Sequence, residues 1–211
     1  MKSKLFLLAL IIPTLLVAHE KDRKGMLYCR QIPESLVTTL EKEIKALDPE
    51  AAIHWQDKTA RHRRTYEFGV SFLQIERTGA IVKSQIPPTF IELRERLVSL
   101  FRDYLTEKDP SKYENVIVTL YGPGDGIKAH TDRDYFGPDI LLVTIEPDTA
   151  SVLTFSNGTK QIRLPEAVGR AFLVQGPLRT TWTHELSPVQ TSRISIQFRT
   201  VLADKVHPNK G

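Results

Sequence analysis

His130 and Asp132 stand two residues apart, so on an extended segment both side chains leave the backbone on the same face and could share a metal ion. By itself the pair says little. Six histidines, each followed two places on by an acid with a chance of about one in eight, yield ~0.7 such pairs at random. A loop histidine beside a surface aspartate is the ordinary alternative. His184 follows Trp182 in a stretch between two predicted strands, where a satisfied core histidine is the competing reading. Two imidazoles and one carboxylate on neighbouring strands would occupy one face of an octahedral Fe(II). The other face would stay open for a co-substrate and dioxygen. Arg193 and Arg199 lie on one strand-like run, in which Ile194, Ile196 and Phe198 alternate with Arg193, Ser195, Gln197 and Arg199. Outward-facing polar alternation is the plain explanation. Two arginine forks aimed into a barrel mouth are also what a dicarboxylate needs, because arginine pairs bidentately with carboxylates and keeps its charge.

These residues need a scaffold. Leu36, Val37, Leu40, Ile44 and Leu47 form one stripe of a helix predicted over residues 34–47. A second helix is predicted over about 90–105, opened by Thr89 with Glu92 as a capping box after Pro87 and Pro88. Its stripe is Phe90, Leu93, Leu97, Leu100, Phe101 and Tyr104. Downstream of Val116 the chain reads as short strands, over 116–121, 140–145, 152–155, 161–164, 171–174 and 194–201. They are cut by Gly-Pro, Asn-Gly and Ser-Pro turns, among them Gly176-Pro177. The expected class is α+β, a β-sandwich or barrel with N-terminal helices bracing one sheet.

At 211 residues there is room for one domain, which the pattern places over 26–205, with no internal repeat or linker. The single cysteine, Cys29, excludes an internal disulfide framework and a cysteine-based zinc cluster, so any metal must be held by His, Asp and Glu. Cys29 itself is expected in a buried strand starting near Met26. The net charge of +4 includes Lys2 and Lys4. Without residues 1–18 the balance is 27 basic against 25 acidic, so only a local patch can argue for a polyanionic partner. Lys58, Arg61, Arg63 and Arg64, followed by Tyr66 and Phe68, form such a patch, suited to phosphate contact with base stacking; a solvated loop entering a strand is the bland alternative. Lys2 and Lys4 precede the apolar run Leu5 to Val17 and then Ala18, a pattern matching a secretory signal rather than a membrane span. Translation starting at Met26 would instead leave a cytoplasmic or nuclear protein.

Three stretches together resemble the AlkB-like Fe(II)/2-oxoglutarate-dependent dioxygenases: Tyr121 to Asp134 with its Gly-Pro-Gly turn and His130-x-Asp132, Arg179 to His184, and Arg193 to Arg199. Arg63 to Gly69 and Ile86-Pro87-Pro88 also look like that family's substrate lid and the loop before its long helix. The resemblance implies a double-stranded β-helix, or jelly roll, with His130, Asp132 and His184 as iron ligands. It implies that Arg193, helped by Tyr121 and Ser195, pairs with the distal carboxylate of 2-oxoglutarate, and that Arg199 lies near the carboxylate at the chelating end. Asp134 matches a position that contacts the target base in some members, and Tyr66 falls in the lid over a flipped base. Thr119 stands where many members have Asn, which removes an amide from the co-substrate site. A carboxylate at position 132 speaks against a halogenase.

The implied reaction couples oxidation of 2-oxoglutarate by dioxygen to hydroxylation of a substrate C–H bond. On an N-methyl group the product would collapse to formaldehyde and the demethylated nitrogen. The leading expectation is an oxidative demethylase of alkylated DNA or RNA, reaching a flipped or single-stranded base. The alternatives are a hydroxylase or demethylase of a protein or small molecule, and a catalytically silent jelly-roll binding module.

Overall fold

The structure is a computed structural model that describes residues 26–56, 62–148 and 150–207. The signal-like segment 1–18, Lys58 and Arg61 lie outside the described residues.

The β-branched and aromatic runs form two antiparallel sheets. Strands β1 (Leu27–Gln31), β2 (Ile53–Gln56), β3 (His62–Gly69), β4 (Asn115–Tyr121), β6 (Phe136–Glu146), β9 (Arg170–Val174) and β11 (Arg193–Val201) make the larger, in the order β1-β9-β6-β11-β4-β3-β2. Strands β5 (Ile127–His130), β7 (Leu153–Ser156), β8 (Gln161–Arg163) and β10 (Thr183–Leu186) make the smaller, ordered β5-β10-β7-β8. Neighbours in space are distant in sequence, as a jelly roll requires.

Side-chain parity across the large sheet decides what each face does. Tyr66, Val118, Ile196 and Val143 align in one row and enter the main apolar core. The adjacent rows, Thr65, Thr119, Ser195, Thr144 and then Glu67, Ile117, Gln197, Leu142, face the other way, into the roll. Helices α1 (Glu34–Lys45) and α3 (Pro88–Phe101) pack on the first face, as the α+β expectation had it. Phe90, Leu93, Leu97 and Phe101 are completely buried there, each worth roughly 1.5–3 kcal/mol of transfer free energy. The roll's interior is only part-filled by a second cluster that includes Phe155, Phe172, Trp182 and Leu186. What remains open is a cavity.

Several local expectations are corrected. Helix α3 begins at Pro88, and Pro87 at its cap makes no side-chain bond, so Thr89 lies inside the first turn instead of capping it. Proline suits that first position because the amide it lacks would have no helical partner. The helix stops at Phe101, and Tyr104 stacks on Tyr28 with ring centroids 4.1 Å apart. Gly176-Pro177 opens a short helix, α4 (Gly176–Thr180), in place of a turn. Cys29 is half-buried. Helix α2 (Phe72–Thr78) had no sequence expectation; Ser71 caps it by accepting from the Gln74 amide at 3.2 Å. Gly69, ending β3 at φ +70°, cannot carry a side chain, because a Cβ there would lie 1.8 Å from the Glu114 carbonyl oxygen.

Asp139, fully buried on β6, ties the chain after α3 to the roll. It accepts from the amides of Thr106 and Glu107 at 2.8 and 3.0 Å, from the Tyr113 hydroxyl at 3.2 Å, and from Gln175 Nε2. Asp139→Ala strands the Thr106 and Glu107 amides, while the Tyr113 hydroxyl keeps the Glu107 carbonyl and Gln175 keeps the Tyr104 carbonyl. The substitution should cost about 3 kcal/mol of unfolding free energy. Urea denaturation will check this, and a loss below about 1 kcal/mol would contradict it.

Candidate functional site

Strands β5 and β10 are neighbours, and their register sets His130 directly opposite His184. The two rings lie 4.3 Å apart between centroids. Asp132 sits just past the end of β5, and one ligand atom from each of the three residues falls within 4.8 Å of the others. The chain therefore brings two imidazoles and a carboxylate to one point from two places in the sequence.

The carboxylate is held from across the roll. Arg199 Nη2 donates to Asp132 Oδ1 at 3.1 Å, and both side chains are nearly sealed from solvent. Arg179 clamps the loop after Asp132 by donating to the carbonyls of Arg133, Phe136 and Gly137 at 2.7, 2.6 and 3.0 Å. From α2, Glu76 accepts from Arg133 and from the Tyr135 hydroxyl, each at 2.6 Å. The loop that carries the acid is thus pinned on two sides.

Electrostatics prepares the ligand set. His130 Nδ1 lies 2.8 Å from the Lys128 carbonyl, which can only accept, so Nδ1 carries the proton and Nε2 keeps its lone pair. Burial lowers His184 to about 4 despite the opposing pull of Asp132. Burial also lowers His130, against its bond to Lys128. For Asp132, burial alone would raise the pKa, but Arg199 and then His184 and Arg179 outweigh it and hold the carboxyl below its ordinary range. Near neutral pH the site presents two neutral imidazoles and one carboxylate. That donor set fits a divalent transition metal, and three protein ligands on one side leave coordination positions open, as non-haem iron oxygenases require.

The triad opens on a cavity of about 310 Å³. Tyr121, Thr119, Arg193 and Arg199 line it with the three ligands, and so does Arg63. Arg193 is buried, with its guanidinium 5.3 Å from the centre of the Tyr121 ring and its Nη1 donating to Ser195 Oγ at 3.0 Å. Burial raises the Tyr121 phenol, with Arg193 opposing, so it stays a protonated donor at neutral pH. Arg199 stacks on Phe136 at 4.7 Å, and its Nε is buried without a partner among the described residues. A buried donor left unpaired beside a polar cavity is a place for a ligand oxygen.

The structure does not bring Tyr66, Arg64 or Asp134 to this cavity. Tyr66 has the opposite parity to Thr65 and Glu67 and is buried in the helix-facing core. Arg64 shares that parity and is exposed, and Asp134 is exposed on the loop. Residues unassigned from sequence take their place. The Trp55 and Phe72 rings lie 5.7 Å apart on the outer wall, and Arg63 sits 5.4 Å over Trp55. Trp55 Nε1 donates to Thr65 Oγ1 at 2.8 Å, fixing the indole. Glu67 accepts from Ser71 Oγ and the Leu73 amide at 2.7 and 3.2 Å, which seats α2 and hence Phe72. Gln197 could have been found, since it shares the face of Arg193 and Arg199. Trp55 and Phe72 carry no signal beyond being aromatic.

No family model matches the chain. It is 26% identical to the tRNA (carboxymethyluridine(34)-5-O)-methyltransferase ALKBH8 of Mus musculus over an alignment of 186 positions that covers 80% of this chain. It resembles the solved Pseudomonas putida prolyl-4-hydroxylase with a TM-score of 0.61 at 14% identity, covering 85% of this chain and 94% of that one. The chain therefore shares the fold of that hydroxylase and is similar in sequence to an AlkB-like protein. The chain spans only 26% of the length of the mouse protein. It is 25% identical over 146 residues to the uncharacterized protein L905 of Acanthamoeba polyphaga mimivirus, covering 61% of this chain and 65% of that protein. A prolyl hydroxylase from Trichoplax adhaerens, solved with a hypoxia inducible factor peptide fragment, also superposes with a TM-score of 0.61 at 15% identity, covering 85% of each chain.

The half-buried histidines make stability pH-dependent. In the unfolded chain His184 titrates near 6.5, whereas the folded residue refuses the proton until about 4. The unfolded state therefore binds more protons across that window, and stability of the metal-free protein should fall as pH drops from about 6.5 to about 4. Asp132, with its folded pKa depressed, adds a loss only at lower pH, below the ordinary carboxylate range. His184→Asn should flatten the upper slope in thermal melts run with a chelator. An identical slope in both proteins would contradict the assignment.

Proposed function

We propose that this AlkB-like chain is an Fe(II)/2-oxoglutarate-dependent dioxygenase that oxidatively demethylates alkylated nucleic acid. The observation that carries the enzymatic reading is the convergence of His130, Asp132 and His184 on a cavity that also contains Arg193 and Arg199. His130, Asp132 and His184 would hold the iron, which when bound supplies oxidation of 2-oxoglutarate and of a substrate C–H bond by dioxygen.

The protein's own contribution is placement. Arg199 keeps Asp132 ionised and oriented, and the Lys128 carbonyl keeps the His130 proton off the metal-facing nitrogen. Arg193, backed by the Tyr121 ring and Ser195, offers a guanidinium to the distal carboxylate of the co-substrate.

For the substrate, the outer wall of Trp55, Phe72 and Arg63 supports nucleic acid: two rings offer stacking surface and a guanidinium sits beside them for a phosphate or a base face. An isolated base, not a paired one, fits a cavity of about 310 Å³. The sequence match to a tRNA-modifying protein agrees with this. A second reading, hydroxylation of a protein, draws on the prolyl hydroxylase neighbours, one of them solved with a peptide.

Asp132→Ala should lower Fe(II)-dependent succinate formation from 2-oxoglutarate by more than about 100-fold, beyond what loss of an outer partner costs. Equal turnover would defeat the iron-site reading. Formaldehyde release from N-methylated oligonucleotides, set against oxygen incorporation into peptides, separates the two substrates. Trp55→Ala should raise KM for the methylated oligonucleotide about tenfold through lost stacking, while succinate formation without substrate stays unchanged. An unchanged KM would remove Trp55 from the substrate wall.

A further inference from the structure

Glu166, on the turn between β8 and β9, has no role in any reading above, yet its carboxylate grips the arginine assigned to the co-substrate. Arg193 Nε donates to Glu166 Oε2 at 3.1 Å and Nη2 donates to Oε1 at 2.5 Å. Thr144 Oγ1 donates to the same Oε1 at 2.9 Å, and the Glu166 amide closes the turn on the Leu164 carbonyl at 2.9 Å. The two side chains are 2% and 4% exposed, so this is a buried, fully formed ion pair inside the roll. Its charge raises Arg193 against the cost of burial.

An arginine has five N–H donors. Glu166 takes two along the side edge and Ser195 takes one from Nη1, which leaves one on each terminal nitrogen. A carboxylate entering the cavity must therefore dock on the end of the guanidinium, and it meets a cation whose charge is already matched. Two carboxylates on one guanidinium also repel each other, more strongly here than in water.

We infer that Glu166 is a positioning residue that sets the affinity for the dicarboxylate co-substrate: it turns the end edge of Arg193 toward the cavity while weakening that arginine's hold on the distal carboxylate. The inference rests on the co-substrate reading of the preceding section. It separates two effects that different substitutions remove. Glu166→Gln keeps the length and an acceptor oxygen but deletes the charge. Glu166→Asp keeps the charge but withdraws it by one methylene, which breaks the two-point grip.

The test is calorimetric titration of 2-oxoglutarate, and of 2-oxobutyrate as a monoacid without the distal carboxylate, into each protein loaded with Mn(II). Mn(II) affinity is measured alongside. Glu166→Gln should bind 2-oxoglutarate about tenfold more tightly than the parent and show a larger ligand-induced rise in Tm. Glu166→Asp should bind it more weakly, and 2-oxobutyrate and Mn(II) should bind all three proteins alike. Equal 2-oxoglutarate affinities, weaker binding by Glu166→Gln, or parallel changes in 2-oxobutyrate binding would overturn the role of Glu166. If Glu166→Gln does not fold, the Glu166→Asp comparison decides, since it keeps the buried counter-charge: weaker diacid binding with unchanged monoacid binding is required. Failure of all three Mn(II)-loaded proteins to bind 2-oxoglutarate sinks the co-substrate reading and this inference together.

Discussion

Two guanidinium groups on one strand are buried inside the roll, and each is held there by a carboxylate from another part of the chain. Arg193 pairs with Glu166 and Arg199 with Asp132. A lone buried cation would cost several kcal/mol, so a β11 carrying arginines at both positions tolerates their inward direction only if acids arrive to meet them. The whole arrangement of the cavity follows from that requirement. It draws the turn after β8 and the loop after β5 toward opposite ends of β11, and it leaves polar groups lining a space that apolar side chains fill elsewhere in the same roll.

Asp132 answers to two demands at once. It is the partner of Arg199 and the third member of the His-Asp-His group, so the charge that stabilises it as a carboxylate is the same charge that anchors it near the histidines. Arg179 and Glu76 hold the following loop by separate bonds, one to backbone carbonyls and one through Arg133 and Tyr135. A ligand built on a loop gains in this way the definition that His130 and His184 receive from strand register. The outer wall is coupled to the same frame, because Glu67 seats α2, and α2 supplies both Phe72 and Glu76.

Much of the site was legible because its signals are local. The period-two alternation from Arg193 to Arg199 is a property of a short segment that strand geometry turns into a shared direction, and the two-residue spacing keeps Asp132 close to His130 even though Asp132 lies on the loop past β5. The six strands expected downstream of Val116 were legible for the same reason, with ends off by a few residues, but β5 and β10, the short strands that carry His130 and His184, had no sequence expectation. Helix α3 was read correctly in kind but opened too late, because the capping pattern at Thr89 competed with a proline that starts a helix equally well. Tyr66 was misplaced for a sharper reason: it lies one residue from positions that line the cavity, and one residue on a strand is the difference between the two faces of a sheet.

The sequence by itself determined which side chains could bind a metal, which strand could present two arginines, and that helices would cover one face of a β-scaffold. The helices and the arginine-bearing strand follow from the fixed periods of helix and strand, and the choice of metal ligands from the resemblance of three short stretches to a known family. Only the tertiary structure decided that His184 lies across from His130, that Glu166 meets Arg193, and that Trp55 and Phe72 share a wall. Those pairs are joined by sheet order and strand register, which depend on how distant segments bury their apolar faces together and leave no mark at either residue alone.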